Sequence, residues 1–298
     1  MPRLIADRPV REHFLSVPGA RLYVREVGAG PALIALHGGP DFNHNYLLPE
    51  LDALAPPFRV IYYDQRGRGR SSEGVSPADV SLDSELDDLD RLREHAGLET
   101  MALLGHSFGA LLAMEYAARL PHRVSHLILM NTTPGSHVDL VRLREHREAH
   151  EAANLQRMQR IAASPAFAAG DIEAEREYYM VHFSAAVRRG AQVGSIVDRL
   201  RTHFASADIL KARAIEQRLY EQTWLDPDYD VVARLARASP RTLVIHGEHD
   251  LIPKECAENI AGAVANARLE VLEDCGHFAY LEDPDRVHAL ITSFVLQA

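Results

Sequence analysis

The chain alternates between short, almost wholly apolar runs and longer stretches in which apolar residues recur every three or four positions. Ala32-Leu-Ile-Ala-Leu-His37, Arg59-Val-Ile-Tyr-Tyr63, Met101-Ala-Leu-Leu-Gly-His106, Val124-Ser-His-Leu-Ile-Leu-Met130 and Thr242-Leu-Val-Ile-His246 are the runs. Runs of this length with little polar character are the pattern of strands buried on both faces, which predicts a mostly parallel sheet covered by helices. Residues 269–272 add a further strand. Residues 14–17 and 22–27, split by Pro18-Gly19-Ala20, predict an antiparallel hairpin leading into the sheet. Eight strands result. Helices are expected across residues 45–54, after Ser107, over 255–264 and after Pro284. Another starts at Ser81 as N-cap, with Leu82, Leu86, Leu89, Leu92 and Glu85 on one face, and stops near His95 before Gly97.

From about Pro134 to Ala238 the alternation lapses into material rich in Arg, Glu, His, Ala and Leu with no buried-type strand. The pattern predicts an α/β core made of residues 1–134 and 239–298, carrying an all-helical cap at 135–238. A chain of 298 residues that is 47% hydrophobic can build such a core.

Composition narrows the function. A net charge of −10 and a pI near 5.9 argue against nucleic acid as a partner. The Arg66-Gly-Arg-Gly-Arg70 run is the one contrary hint, and it reads as part of a structural loop at residues 64–69. Cys256 and Cys275 are too few for a disulfide framework, which fits a reducing cytoplasm. The opening Met1-Pro-Arg-Leu-Ile-Ala-Asp-Arg-Pro9 lacks the long apolar segment of a signal peptide. The window 101–120 is the only span candidate, but it carries His106, Ser107, Glu115 and Arg119 and needs a sharp turn, so no membrane association is expected.

That turn, Gly105-His106-Ser107-Phe108-Gly109, is where chemistry enters. Strand, turn and helix in succession lift a hydroxyl clear of both elements, and the flanking glycines let them pass closely. In an open α/β sheet the loops leaving the strands' carboxyl ends share one crevice. Those loops bring His37-Gly38-Gly39-Pro40, residues 247–250 and residues 274–277 to Ser107. A serine nucleophile needs a base and a carboxylate that fixes the base's tautomer. His277 and Asp250 are the expected pair, in the order Ser, Asp, His. His246 and His249 are competing bases and Asp139 a competing acid. The oxyanion donors are expected at the Phe108 and Gly39 amides, with a plain tight turn as the alternative for the glycines.

Other polar features carry weaker expectations. His146 and His150 share a helix face, but in the wrong order for a zinc motif, and no metal or cofactor is expected. Cap carboxylates Glu173, Glu175, Glu177, Glu216 and Glu221 read mainly as surface charge, any of which could face the pocket. Cys275 reads as a packed side chain.

Taken together these residues resemble the α/β-hydrolase fold superfamily and, more narrowly, the proline iminopeptidase family of serine aminopeptidases. The resemblance rests on His37-Gly-Gly-Pro40, Tyr63-Asp-Gln-Arg-Gly67 with Gly69 and Ser71, residues 247–250, Gly276-His277, and Trp224 followed by Tyr229-Asp-Val-Val-Ala-Arg-Leu235. It implies removal of an N-terminal residue, often proline, from small peptides or amides, with cap carboxylates gripping the free amine. Glu216 and Glu221 are the nearest matches for that role. Asp41 and the pair His106 and Phe108 stand where the family has glycine, glycine and tryptophan. A carboxylesterase or lactonase with the same machinery is the alternative, and a hydrolase-like ligand receptor that retains its triad a more distant one. The expected partner is a small-molecule or short-peptide substrate.

Overall fold

The computed structural model describes residues 9–188 and 192–297. The opening residues 1–8, on which the leader expectation falls, lie outside the described residues. Strands β1 (Val10–Val17) and β2 (Ala20–Gly28) pair antiparallel through a turn in which Gly19 takes a φ of 76°, a conformation that favours glycine. Next come β3 (Ala32–Leu36) and β4 (Arg59–Tyr63). The helix expected across residues 45–54 is instead two short 3₁₀ turns, His44–Leu47 and Glu50–Leu54. Pro49 makes the break: it has no N–H to donate, and Leu48 before it is extended at φ −102°, ψ 151°.

Helix α1 (Leu82–His95) starts at Ser81, whose hydroxyl caps Ser84 N–H while Ser84 caps back. After it come β5 (Met101–His106), α2 (Phe108–Arg119) and β6 (Val124–Met130). The described residues between β6 and β7 contain no strand; an isolated antiparallel bridge joins Ser136 to Asp230, and the helices are α3 (His137–His150), α4 (Ala152–Ala162), α5 (Pro165–Ala168), α6 (Ile172–His182), α7 (Val193–Leu200), α8 (Ser206–Glu221) and α9 (Val231–Ala238). The chain then runs through β7 (Thr242–Gly247), α10 (Lys254–Ala263), β8 (Ala267–Leu272), α11 (Ala279–Glu282) and α12 (Pro284–Leu296).

The eight strands form one sheet in the order β1-β2-β4-β3-β5-β6-β7-β8, parallel from β4 onwards and antiparallel at β1 and β2. Successive strand residues point to opposite faces, so each apolar run feeds two cores. Ile34 and Leu36 join Ile61, Leu103 and Val244 beneath α1 and α2, whereas Leu33 and Ala35 join Val60, Leu104 and Ile245 beneath α12. The inserted helices complete both cores: Ile215 and Leu219 of α8 enter the first, and Tyr179 of α6 and Ile196 of α7 the second.

The arginine run is built into this frame. Arg66 grips Asp88 with two nitrogens at 2.7 and 2.6 Å, and Arg68, without exposed surface, meets the equally buried Glu85 at 2.6 Å. Burial raises the Glu85 carboxyl, and Arg68 opposes that rise. Arg68→Ala is therefore expected to cost about 3–5 kcal/mol in chemical denaturation, because it strands a buried acid. Pairing it with Glu85→Leu should restore much of the loss. Among the described residues no helix is long and apolar enough to cross a membrane.

Candidate active site

Strand β5 stops at His106 and α2 begins at Phe108, so Ser107 alone makes the turn. Its backbone stands at φ 55°, ψ −123°, a conformation that costs an L-residue about 1–3 kcal/mol and survives only where packing imposes it. The packing is visible at the flanking glycines. A Cβ on Gly105 would meet the Ala110 backbone at 2.4 Å, and one on Gly109 the Leu36 carbonyl oxygen at 2.3 Å.

Two further strand ends meet this serine. His277, beyond β8, places Nε2 3.0 Å from Ser107 Oγ and Nδ1 2.8 Å from Oδ1 of Asp250, beyond β7. Burial would raise the Asp250 carboxyl, but the His277 imidazole and donated hydrogen bonds bring it down to about 2. As a carboxylate it can only accept, so Nδ1 of His277 carries the proton and Nε2 is left to receive one from Ser107. Asp250 accepts two more bonds, from Ile252 N–H at 3.0 Å and from the Asn131 amide at 2.8 Å. Asn131 also donates to Gly276 O at 2.9 Å, tying the acid loop to the histidine loop. Sequence reasoning missed Asn131, although its place one residue beyond β6 was a usable signal.

The competing residues sit elsewhere. His246 lies 3.8 Å from Asp250 Oδ2, but its Nε2 bonds Ile252 O at 3.1 Å. His249 is exposed beside Glu248. Asp139 is taken by Arg142 at 2.5 Å and Asn259 at 2.8 Å. Cys256 and Cys275 are buried and not disulfide-bonded.

The amides expected to meet an oxyanion border the same space. Phe108 N–H opens α2, and so has no helical carbonyl behind it. Gly38 N–H cannot serve, because the Tyr46 hydroxyl accepts it at 2.5 Å. The Gly38 carbonyl accepts from His37 Nδ1 at 3.0 Å, while His37 Nε2 accepts the Gln65 N–H at 3.2 Å. That grip fixes the peptide whose other edge is the Gly39 N–H. Gly39 itself has a φ of 53°, and a Cβ there would lie 2.0 Å from the Phe42 ring.

Ser107, His277, Gly39 and Phe108 line one cavity of about 590 Å³, roofed by inserted helices and walled by rings including Phe42, Phe183 and Trp224. Of the five candidate cap carboxylates, Glu216 alone lines this cavity. Tyr220 donates to it at 2.7 Å. Glu221 is exposed and takes Gln217 at 3.0 Å, so the structure does not bring it to Ser107. Five residues on one helix lie about 140° apart, so Glu216 and Glu221 cannot face the same way. Glu173 and Glu177 are exposed, and Glu175 is buried against Arg201 and Arg213.

Asp41, which sequence reasoning recorded only as a departure from a motif, also lines the cavity while just 1% exposed. Its Oδ2 takes Tyr179 at 2.8 Å and Arg201 at 2.5 Å, and its Oδ1 has no hydrogen-bond partner. Burial first, and then the negative charge of Asp41, push the Glu216 carboxyl up to about 8. Arg201 pairs with Asp41 and Glu175, and Arg213 with Glu175; Arg144 and Arg147 also line the cavity, Arg147 meeting Glu151 at 3.2 Å. On α3 the His146 and His150 rings stack at 4.4 Å. Among the described residues no group of three or more His, Cys, Asp or Glu could hold a metal ion.

Comparison with known proteins bears on the fold. Residues 31–284 match the family described as alpha/beta hydrolase fold. A proline iminopeptidase of Saccharolobus solfataricus is 26% identical over 299 residues, covering 97% of this chain and 93% of that protein. The crystal structure of a proline iminopeptidase of Mycobacterium smegmatis superposes with a TM-score of 0.72 at 23% identity, over 95% of this chain and 97% of that one. An enol-lactonase of Burkholderia xenovorans superposes at 0.69 with 19% identity, over 95% and 99%. At such identities the two structures share the fold, which by itself leaves the substrate open.

Proposed function

We propose that this chain, which belongs to the alpha/beta hydrolase fold family, is a metal-free serine hydrolase that removes an N-terminal residue from a small peptide or amide. In this reading Ser107 attacks the scissile carbonyl as His277 Nε2 takes its proton. The tetrahedral oxyanion rests on the Gly39 and Phe108 amides, each such donor being worth about 3–4 kcal/mol. His277 then returns the proton to the leaving amine, and a water molecule repeats the sequence on the acyl-enzyme. Asp250 holds the imidazole throughout. Residues 135–238 act as the cap that chooses the substrate.

One observation carries the aminopeptidase reading over its rivals: the acid Glu216 in the cavity that Ser107 lines, with the carboxylate of Asp41 beside it. This partly buried carboxyl ionises more readily beside a cation, and a substrate ammonium supplies one. Asp41, Arg201, Arg213, Tyr178, Tyr179 and Tyr220 act electrostatically on Glu216, and Arg144, Arg147 and His182 line the same cavity. Its raised value sets the sign of the pH dependence. Below pH 8 the carboxyl holds a proton that an ammonium must displace, so KM for an amine substrate should fall as pH rises from 6 towards 8. It should rise again once the amine loses its own proton.

Glu216→Gln removes this charge and is expected to cut kcat/KM on aminoacyl anilides about 30- to 1,000-fold, the equivalent of ~2–4 kcal/mol. Short-chain aryl esters, which lack the amine, should lose far less. Equal losses on both, or anilides untouched, would remove the aminopeptidase reading. The second reading, a carboxylesterase or lactonase, draws on the aromatic walls of the cavity, which suit an uncharged acyl group. Fast ester or lactone turnover without anilide cleavage would select it.

A further inference from the structure

Two residues next to this machinery are unused by the mechanism above: His106, immediately before the nucleophile, and Tyr46, on the first 3₁₀ turn. Both are buried to 1% exposure. Three hydrogen bonds join them into one chain. Gly38 N–H donates to the Tyr46 hydroxyl at 2.5 Å, that hydroxyl lies 2.8 Å from His106 Nδ1, and His106 Nε2 lies 2.9 Å from the His277 carbonyl oxygen.

The direction of every bond follows from chemistry. A carbonyl only accepts, so His106 carries its proton on Nε2. A backbone N–H only donates, so the Tyr46 oxygen receives Gly38. The tyrosine proton therefore goes to the bare Nδ1 of His106. Burial first, and then the neighbouring His277, lower the His106 imidazole to about 3, which keeps it in this neutral form over any working pH.

We propose that Tyr46 and His106 are positioning residues that hold the oxyanion loop and the general base in register across the nucleophile, the inference resting on the serine-hydrolase reading. One end of the chain fixes Gly38, whose peptide with Gly39 carries the donor that meets the oxyanion. The other end fixes the main chain of His277. The His277 N–H is held separately by the cap, donating to Ala186 O at 2.7 Å. Ring contacts support the placement: His106 stacks on Phe278 at 5.6 Å, and Tyr46 meets Phe42 and Phe278 edge-on. Neither residue touches the reacting atoms in this scheme. Their contribution is to keep donor and base at the separation that the tetrahedral intermediate requires, a separation to which rates are steeply sensitive.

Tyr46→Phe keeps the ring and removes only the hydroxyl, leaving Gly38 N–H and His106 Nδ1 unpartnered. His106→Asn still offers Tyr46 an acceptor but is too short to reach the His277 carbonyl. Each variant is expected to slow labelling by a fluorophosphonate about 10- to 100-fold, less than the full loss of one oxyanion donor. Labelling should still reach one equivalent. On p-nitrophenyl acetate, kcat should fall while KM holds. Because both variants break one chain, the double variant should be little slower than the slower single.

A merely structural role would instead lower the labelled fraction or the melting temperature at an unchanged rate, and that result overturns the proposal. Either single variant labelling within twofold of wild type also overturns it, as does a double loss equal to the product of the single losses. If Tyr46→Phe fails to fold, the His106→Asn labelling rate decides alone. A wild-type protein that takes no label at all overturns the serine-hydrolase reading and this inference with it, whereas normal wild-type labelling with unaffected variants overturns the inference alone.

Discussion

Replacing Ser107 with alanine is expected to abolish fluorophosphonate labelling and to lower turnover at least ~10⁴-fold on every substrate the wild type accepts. The size of the effect follows from the geometry. Oγ lies 3.0 Å from His277 Nε2, raised on a backbone at φ 55° that the crossing of β5 and α2 holds in place. Alanine suits that backbone no worse than serine does, so the melting temperature should stay within a few degrees or rise, as strained sites often trade stability for activity. Labelling that survives Ser107→Ala would end the nucleophile assignment, and the oxyanion assignment would fall with it, because in the proposed mechanism both amides serve the acyl group this oxygen would carry.

Asp250→Asn should be nearly as damaging, at about 10⁴-fold in kcat. The wild-type carboxylate accepts three donors: His277 Nδ1–H, Ile252 N–H and the Asn131 amide. An asparagine has one accepting oxygen and one donating nitrogen, so either Asn131 or the pair of His277 and Ile252 must face a donor. If the nitrogen turns to His277, the imidazole is pushed into the tautomer with its proton on Nε2, which cannot receive the Ser107 proton. If it turns to Asn131, two amide nitrogens are forced together and the link to Gly276 loosens. The check is turnover against pH together with labelling rate. An Asp250→Asn variant within tenfold of wild type at neutral pH would show that the acid lies elsewhere. Asp139 would then be tested next, although Arg142 and Asn259 already occupy it.

Much of the core was legible from the chain because it is written locally. The runs at residues 32–37, 59–63, 101–106, 124–130 and 242–246 became β3, β4, β5, β6 and β7 within a residue, since a strand buried on both faces leaves few places for a polar side chain. Ser81 and Gly97 bounded α1 as expected, because caps act within one turn. Pro49 carried a local signal too, and the expectation of one helix across residues 45–54 overlooked it. The Ser107, Asp250 and His277 constellation was legible for a different reason: each residue follows its own strand, and the topology gathers strand ends on one edge.

The stretch between β6 and β7 was legible as helix and illegible as chemistry. Glu216 and Glu221 have the same side chain on the same helix, and their spacing says only that both cannot face inward. Which one does depends on Ile215 and Leu219 seating α8 in the core, a contact with residues far away in the chain. The sequence marks Asp41 and His106 as departures from a motif and assigns neither a partner. Their partners, Arg201 at a separation of 160 residues and His277 at 171, come from elements that sequence proximity never connects.

By itself, then, the sequence determined the alternation of strands and helices, the eight-stranded α/β sheet and the identity of the three residues at its edge, because hydrophobic period, turn chemistry and strand order act over a few residues or through simple topology. The tertiary structure alone decided that Glu216 lines the cavity, that Asp41 is buried with one oxygen unpartnered, and that Tyr46 and His106 link Gly38 to the His277 main chain. Those outcomes depend on side-chain direction and burial at contacts that include separations of 60, 160 and 171 residues, and no local pattern encodes either.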